Sequence, residues 1–485
     1  MTNKLTRIFA LLMVSLALLT APVIGGNYDT PFTVTAQAAK KKAPAISAKK
    51  KTVYYKSTAT LKMKNYKGKV KWSTSNKKIA KVNSKGVVTG VAPGKCTVTA
   101  TVGKKKYKCT VTVKDRNVTA ATSFKVNGGG YFVKGESTAT VTVKPKKYNA
   151  YKATVYIENA AGDTVYKKTL SKLTKNKKYT FTWNGKNTKG KYVSTGSYRV
   201  KVKIGTKVSY SSYLTFYGVN DFADGNGSSK NPFIVQNITH LKKLVKYPTA
   251  YFKQANDIDF NYTSIPSLFS ADQPFSGTYD GNWKTIKNIS GTASLFNTVG
   301  TKGTIKNVKM RNCSVVGDKT AILAKSNYGK IQNCNIEGIV SASSNGSANI
   351  GLAIYDNYGT VYNSSFGGTV TGSAVYNSAA LACSAGGIVC VNEANGKIVS
   401  CTSYTDVTAK QKNFYPRAGG IAAVYNGLIN GCESSGDVSG TCNGSKWNNE
   451  SQGTIAGENS GQVISCSYTG LSAINLVGYN TGTIA

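Results

Sequence analysis

Few residues in this chain are equipped for bond-breaking chemistry, and the carboxylates around position 260 are the best placed of them. Asp257 and Asp259 stand two apart in Asn-Asp-Ile-Asp-Phe, and Asp280 follows in Tyr-Asp-Gly-Asn. Paired carboxylates can cleave a glycosidic bond as acid and base, and clustered ones can hold the calcium ion of a lyase. If the protein is an enzyme, Asp257, Asp259 and Asp280 are its candidate catalytic residues, and an acidic glycan is the expected substrate. The competing account is that each caps a turn by accepting backbone N–H bonds. The single histidine, His240, lies in Ile-Thr-His-Leu-Lys-Lys-Leu, an amphipathic helical turn, where a surface role is expected. One His and 20 carboxylates give little material for a metal centre, so neither a metal nor a cofactor is expected.

Positioning such residues requires a core, and the composition supplies one. Of 485 residues, 40% are hydrophobic and only 17% charged, which argues against a disordered chain. The net charge of +43 is unevenly placed: residues 40–217 hold 42 basic and 4 acidic residues, whereas residues 218–485 hold 19 and 15. The bases are 58 Lys and 5 Arg. Lys is a flexible point charge, whereas base-edge and bidentate phosphate recognition favour Arg, so sequence-specific nucleic-acid binding is not expected. Diffuse attraction to anionic cell-envelope polymers or acidic polysaccharides is expected instead, with a merely solvated Lys face as the alternative.

Residues 1–38 read as a signal peptide. Lys4 and Arg7 precede an apolar run from Ile8 to Ala21, and Ala36-Gln37-Ala38 offers a small-x-small site, with cleavage expected between Ala38 and Ala39. The run is short of the ~20 residues that span a bilayer, and no transmembrane segment is expected after its removal. The expected location is secreted, at a bacterial cell surface.

Residues 39–117 show the alternation of half-buried strands. The stretch from Cys96 to Val113 reads as a hairpin turning at Gly103-Lys-Lys-Lys, and Cys96 and Cys109 share the parity of the core valines, so a cross-strand disulfide or two buried thiols is expected. The run Val-Lys-Trp-Ser-Thr-Ser-Asn-Lys-Lys-Ile-Ala-Lys-Val at 70–82, continuing as Gly-Val-Val-Thr-Gly-Val-Ala-Pro-Gly-Lys-Cys-Thr-Val-Thr-Ala at 86–100, resembles the bacterial Ig-like group 2 domain. That resemblance implies a β-sandwich module without catalytic residues. Residues 118–217 alternate again, and Trp183-Asn-Gly-Lys-Asn-Thr-Lys-Gly followed by Gly196-Ser-Tyr is similar to the Ig-like domain of flagellar hook-capping proteins. Trp183 and Tyr198 are expected in its core.

Residues 218–485 repeat. Glycines 303, 329, 359, 396, 427, 461 and 482 each precede an Ile or Val by two residues. A small polar residue follows at the fourth position, and the fifth holds Cys334, Cys401, Cys432 and Cys466, with Val308 and Ser364 in the same series. Repeats of this length with short strands and no helical period point to stacked coils of a right-handed parallel β-helix, in which those cysteines form an internal ladder. Buried thiols and interlocked disulfides are both open for them. At the eleventh position the 303 coil has Ser314 where others have Val. The runs Gly-Ile-Ala-Ala-Val-Tyr-Asn-Gly at 420–427 and Asn-Leu-Val-Gly-Tyr-Asn-Thr-Gly at 475–482 resemble GLUG-motif repeats, and the stretches 222–235, 256–260 and 275–282 resemble the coils that precede them. In such proteins the Asn-Asp-Ile-Asp and Tyr-Asp-Gly residues are turn positions. Because the sequence ends at Ala485 inside a coil, a continuation in the natural protein or a partner is expected.

The fold expected is thus all-β: two Ig-like sandwiches followed by a β-helix. The function expected is that of a secreted, surface-associated, non-enzymatic protein. Its Lys-rich stalk would attach to anionic polymers, and its β-helix would present a surface for adhesion to host or matrix glycans or proteins. An extracellular polysaccharide lyase or hydrolase of the β-helix type, and a purely structural envelope component, are the alternatives.

Overall fold

The computed structural model describes residues 41–264, 267–375, 383–412, 415–442, 451–471 and 474–485. The expected signal peptide and its cleavage site at Ala38 and Ala39 lie outside the described residues.

Alternating Val and Thr or Lys residues form the first sandwich. One sheet orders Lys50–Tyr54, Lys105–Lys114, Gly94–Val102 and Lys71–Thr74, and the facing sheet orders Thr58–Thr60, Val87–Gly90 and Ala80–Val82. Val53, Leu61, Val88, Val98, Val111 and Val113 close the core between them. The hairpin turns on two residues rather than four, since Val102 pairs with Lys105 and Gly103 takes φ +56°. The register also corrects the proposed disulfide. Cys96 stands opposite Val111 and Cys109 opposite Val98, so the two thiols are diagonal neighbours, and both are free. Diagonal positions lie about 7–8 Å apart, beyond the usual span of a disulfide.

In the second sandwich the strands Ala120–Val126, Ala139–Pro145 and Tyr179–Trp183 face a larger sheet built on Ala150–Asn159 and Gly196–Ile204. Trp183 fills the centre, with Phe124, Phe132, Tyr198 and Phe216 around it. Its indole N–H donates to the Lys186 carbonyl at 2.7 Å, so its one polar atom is satisfied. Tyr131 of this sandwich packs edge-on against Tyr247 and its N–H donates to the Asn226 carbonyl, which seats the sandwich on the first coils of the solenoid.

From Phe233 to Ile484 the chain winds as parallel coils, the arrangement of a β-helix. The first wall stacks ten short strands, among them Thr304–Lys306, Lys330–Gln332, Thr360–Tyr362 and Lys397–Val399. Each of these four starts one residue after a repeat glycine, and the glycines are required where coils touch: a Cβ on Gly359 would lie 2.2 Å from the Gly329 carbonyl oxygen. The small polar series occupies the corner after this wall, where Asn307, Asn333, Asn363, Ser400, Gly431 and Ser465 have φ between +45° and +59°. Asn enters that left-handed region more readily than most residues, and here the corner amides bond from coil to coil, Asn363 donating to Asn333 Oδ1 at 2.9 Å. The second wall holds longer strands such as Asn335–Ser344 and Ser365–Ala374, and the third holds Ala324–Asn327, Ile354–Asn357, Val389–Asn392, Ala422–Tyr425 and Ala456–Asn459. Ser314 proves to be no exception to the Val ladder. A register shift between Met310 and Cys313 advances this strand by one residue, so that Val315 rather than Ser314 pairs with Val340.

A fourth, shorter wall separates the second and third: Ala348–Gly351, Cys383–Gly386, Arg417–Gly419 and Gln452–Gly453. The helix Ile238–Lys243 covers the first coils with Leu241, and Asn237 caps it by accepting the His240 N–H at 3.0 Å. His240 is half-buried rather than plainly exposed, and its Nδ1 accepts the Gln236 N–H at 3.2 Å.

Candidate functional site

The three candidate aspartates are engaged as acceptors, Asp259 and Asp280 of the N–H two residues on in a turn and Asp257 of an N–H on the next coil. Asp257 Oδ1 accepts the Thr285 N–H at 2.8 Å. Asp259 Oδ1 accepts the Asn261 N–H and the Asn288 side-chain amide, both at 2.8 Å, and Lys287 lies 3.4 Å from its other oxygen. Asp280 accepts the Asn282 N–H and the Asn307 amide at 2.9 Å and pairs with Lys306 at 3.2 Å. The bonds Asp259 accepts from Asn261 and Asn288 hold its carboxyl below the usual range, as those from Asn307 and Asn282 do for Asp280 against the opposing effect of burial. Asp259 belongs to the second wall and Asp280 to the first. Among the described residues no three His, Cys, Asp or Glu side chains converge as a metal-holding group.

The ladder cysteines stack inside the solenoid. Ser364 stands between Cys334 and Cys401, and its hydroxyl accepts the Cys334 N–H at 3.0 Å. Cys334, Cys401, Cys432 and Cys466 are all free, and burial pushes the Cys334 thiol up to about 12. Such thiols are poor nucleophiles, which fits them to packing.

A second arrangement lies on the corner where the third wall returns to the first. The N–H groups of Tyr358, Glu393, Asn426 and Ser460 each donate to a carbonyl of the preceding coil, from Asn327, Asn357, Asn392 and Tyr425, so these residues share one row position. Tyr328 precedes them in the row through its bond to the Val299 carbonyl. The rings of Tyr328 and Tyr358 stack at 4.5 Å with 7° between planes. Burial, and then the negative charge of Glu393, push the Tyr358 phenol up to about 12. Asp356, half-buried under the row, has its carboxyl raised to about 6, first by burial and then by Glu393, against the opposing pull of Lys325 and Lys319. Nothing in the strand-period pattern of one coil marks these residues. The signal that does is the triplet Asn-Tyr-Gly, which occurs at 327–329 and again at 357–359.

On the sandwiches the exposed side chains are mostly basic. Lys50, Lys71, Lys95, Lys106, Lys108 and Lys114 are all exposed on the first one. An open cleft of about 590 Å³ there is lined by Lys69, Lys71, Trp72, Ser84 and Thr101.

Both sandwiches match Ig-like families. Residues 31–113 match the bacterial Ig-like domain (group 2), and residues 131–207 match the FlgD Ig-like domain. Among curated proteins, halomucin of Haloquadratum walsbyi (strain DSM 16790 / HBSQ001) is 31% identical over 136 residues, which is 24% of this chain and 2% of halomucin. The chain thus spans a small fraction of that relative's length. Among solved structures, S-layer protein SbsC domains 5-6 is 19% identical with a TM-score of 0.14, covering 37% of this chain and 98% of that one. A chimeric titin Z1Z2 carrying a KLER peptide from decorin is 13% identical with a TM-score of 0.17, covering 37% and 99%. No helix among the described residues is long and apolar enough to cross a membrane.

Proposed function

We propose that this is a secreted, non-enzymatic cell-surface protein whose Lys-rich Ig-like pair holds to anionic envelope polymers or acidic polysaccharides, while its β-helix presents a surface for adhesion or glycan contact. The observation that carries the reading is the segregation of charge: an excess of 38 positive charges falls in residues 40–217, and an excess of 4 in residues 218–485. Where several like charges crowd one surface, their summed field attracts a flexible polyanion without a shaped pocket. The cleft beside Lys69 and Lys71 adds the apolar face of Trp72, on which the non-ionic part of such a polymer can lie. The matches of both sandwiches to bacterial Ig-like families, and the partial likeness to halomucin, support placing these modules at a cell surface. The hydrogen bonds that occupy Asp257, Asp259 and Asp280 favour the binding reading over the lyase or hydrolase.

Immunolabelling of intact producing cells tests the proposal. Surface label that a high-salt wash releases is the expected result. Protein confined to the cytoplasm, or surface label untouched by salt, contradicts it.

A further inference from the structure

We propose that the row Tyr328, Tyr358, Glu393, Asn426 and Ser460 is a binding site for an uncharged pyranose polymer lying along the solenoid axis. This rests on the reading of the β-helix as the recognising half of the protein, and gives that half a site.

The first argument is geometric. Parallel coils repeat at about 4.8 Å, so one side chain per coil makes a straight ruler of contacts along the axis. Two consecutive steps of this ruler are tyrosines in near-parallel stack, and Tyr328 remains 42% exposed. The row position before Tyr328 is Gly300, whose N–H donates to the Phe275 carbonyl of the coil before it. No side chain of the row therefore covers the outer face of Tyr328. An open aromatic face backed by a second ring is a rigid apolar platform, suited to the C–H-bearing face of a pyranose.

The second argument is the chemistry beyond the platform. Glu393 is an acceptor-only carboxylate, and Ser460 Oγ donates to Asn426 Oδ1 at 2.5 Å, which leaves the Asn426 NH2 group as donor and the Ser460 oxygen as acceptor. A run of carboxylate acceptor, amide donor and hydroxyl-oxygen acceptor matches the hydroxyl groups of a sugar chain, each of which donates and accepts.

The third argument is charge. Asp356 and Glu393 lie close enough that Glu393 resists ionisation of Asp356. Lys325 and Lys319 oppose that charge, so the row lacks the net positive field with which the Lys-covered sandwiches attract a polyanion. The two halves of the protein thus sort ligands by charge, and the row takes the uncharged class.

The test measures binding of the full chain to the hexasaccharides of β-linked glucose and of β-linked N-acetylglucosamine, with hexagalacturonate as the acidic arm. The wild type binds at least one neutral hexasaccharide. Tyr328→Ala and Tyr358→Ala each lower that affinity about tenfold or more, whereas Tyr358→Phe, which keeps the stack, lowers it about threefold or less. Hexagalacturonate affinity is unchanged by Tyr328→Ala, a position that leaves the core intact. Failure of both neutral sugars to bind the wild type overturns the proposal, as does equal neutral-sugar affinity in wild type and Tyr328→Ala. Salt-dependent attachment to cell-wall fragments, measured on the same proteins, stays at the wild-type level in either event, so failure of the row is distinguishable from failure of the stalk.

Discussion

The Asn357 side-chain amide donates to Asn392 Oδ1 on the next coil at 2.6 Å and accepts from Asn327 at 2.8 Å, all three residues being fully buried. This internal ladder fixes where the third wall ends and the outer row begins. Asn357→Leu removes a partner from both neighbours at once and leaves buried polar atoms unsatisfied. The expected loss is about 2–4 kcal/mol, seen as an earlier urea midpoint by far-ultraviolet circular dichroism.

Asp356 gives the β-helix a pH dependence. Its carboxyl is raised from an ordinary 3.8 to about 6, so the fold favours the neutral form. The stability tied to it is complete below about pH 4 and is lost as pH rises through 6. Asp356→Asn should match the wild type at pH 4 and exceed it by about 1–2 kcal/mol at pH 7.5, a figure discounted for partial exposure. Thermal midpoints at the two pH values check this.

In the second sandwich Glu158 is only 2% exposed and receives Lys201 Nζ at 2.7 Å, with Arg199 at 3.6 Å. Lys201→Met leaves that carboxylate without its shorter partner. A loss of about 2–4 kcal/mol in denaturant unfolding is expected, and the double variant Glu158→Leu, Lys201→Met should recover much of it.

Cys96, Cys109, Cys313, Cys334, Cys383, Cys390, Cys401 and Cys432 are buried free thiols, and Cys466 is a half-buried one. Burial holds the Cys383 thiol up to about 12, and the neighbouring Cys401 thiol, with burial adding to it, does the same for Cys432. A thiol reagent at pH 8 should therefore react slowly with these groups in the native, never-reduced protein and titrate at least these nine in denaturant.

Much of this architecture was legible because a solenoid repeats its local requirements. The glycine starts and the left-handed corner residues recur at fixed offsets, since every coil meets the same neighbour in the same way. Ser314 misled because a one-residue shift in pairing is invisible until the next coil is present to set the register. The pairing of Cys96 with Val111 was missed for a related reason: strand parity gives the face, whereas turn length gives the partner. The fourth wall has strands as short as Gln452–Gly453, too brief for a periodic signal. Asp356 reads as a scattered acid in one dimension, and only stacking of coils puts it beside Glu393.

The most direct test of the division of labour is the affinity of the full chain for purified anionic cell-wall fragments as a function of salt. The account predicts that affinity falls by about tenfold or more between ~0.05 M and ~0.3 M salt, and that Lys69→Glu with Lys71→Glu weakens it at low salt. Affinity that does not change across that range would contradict it.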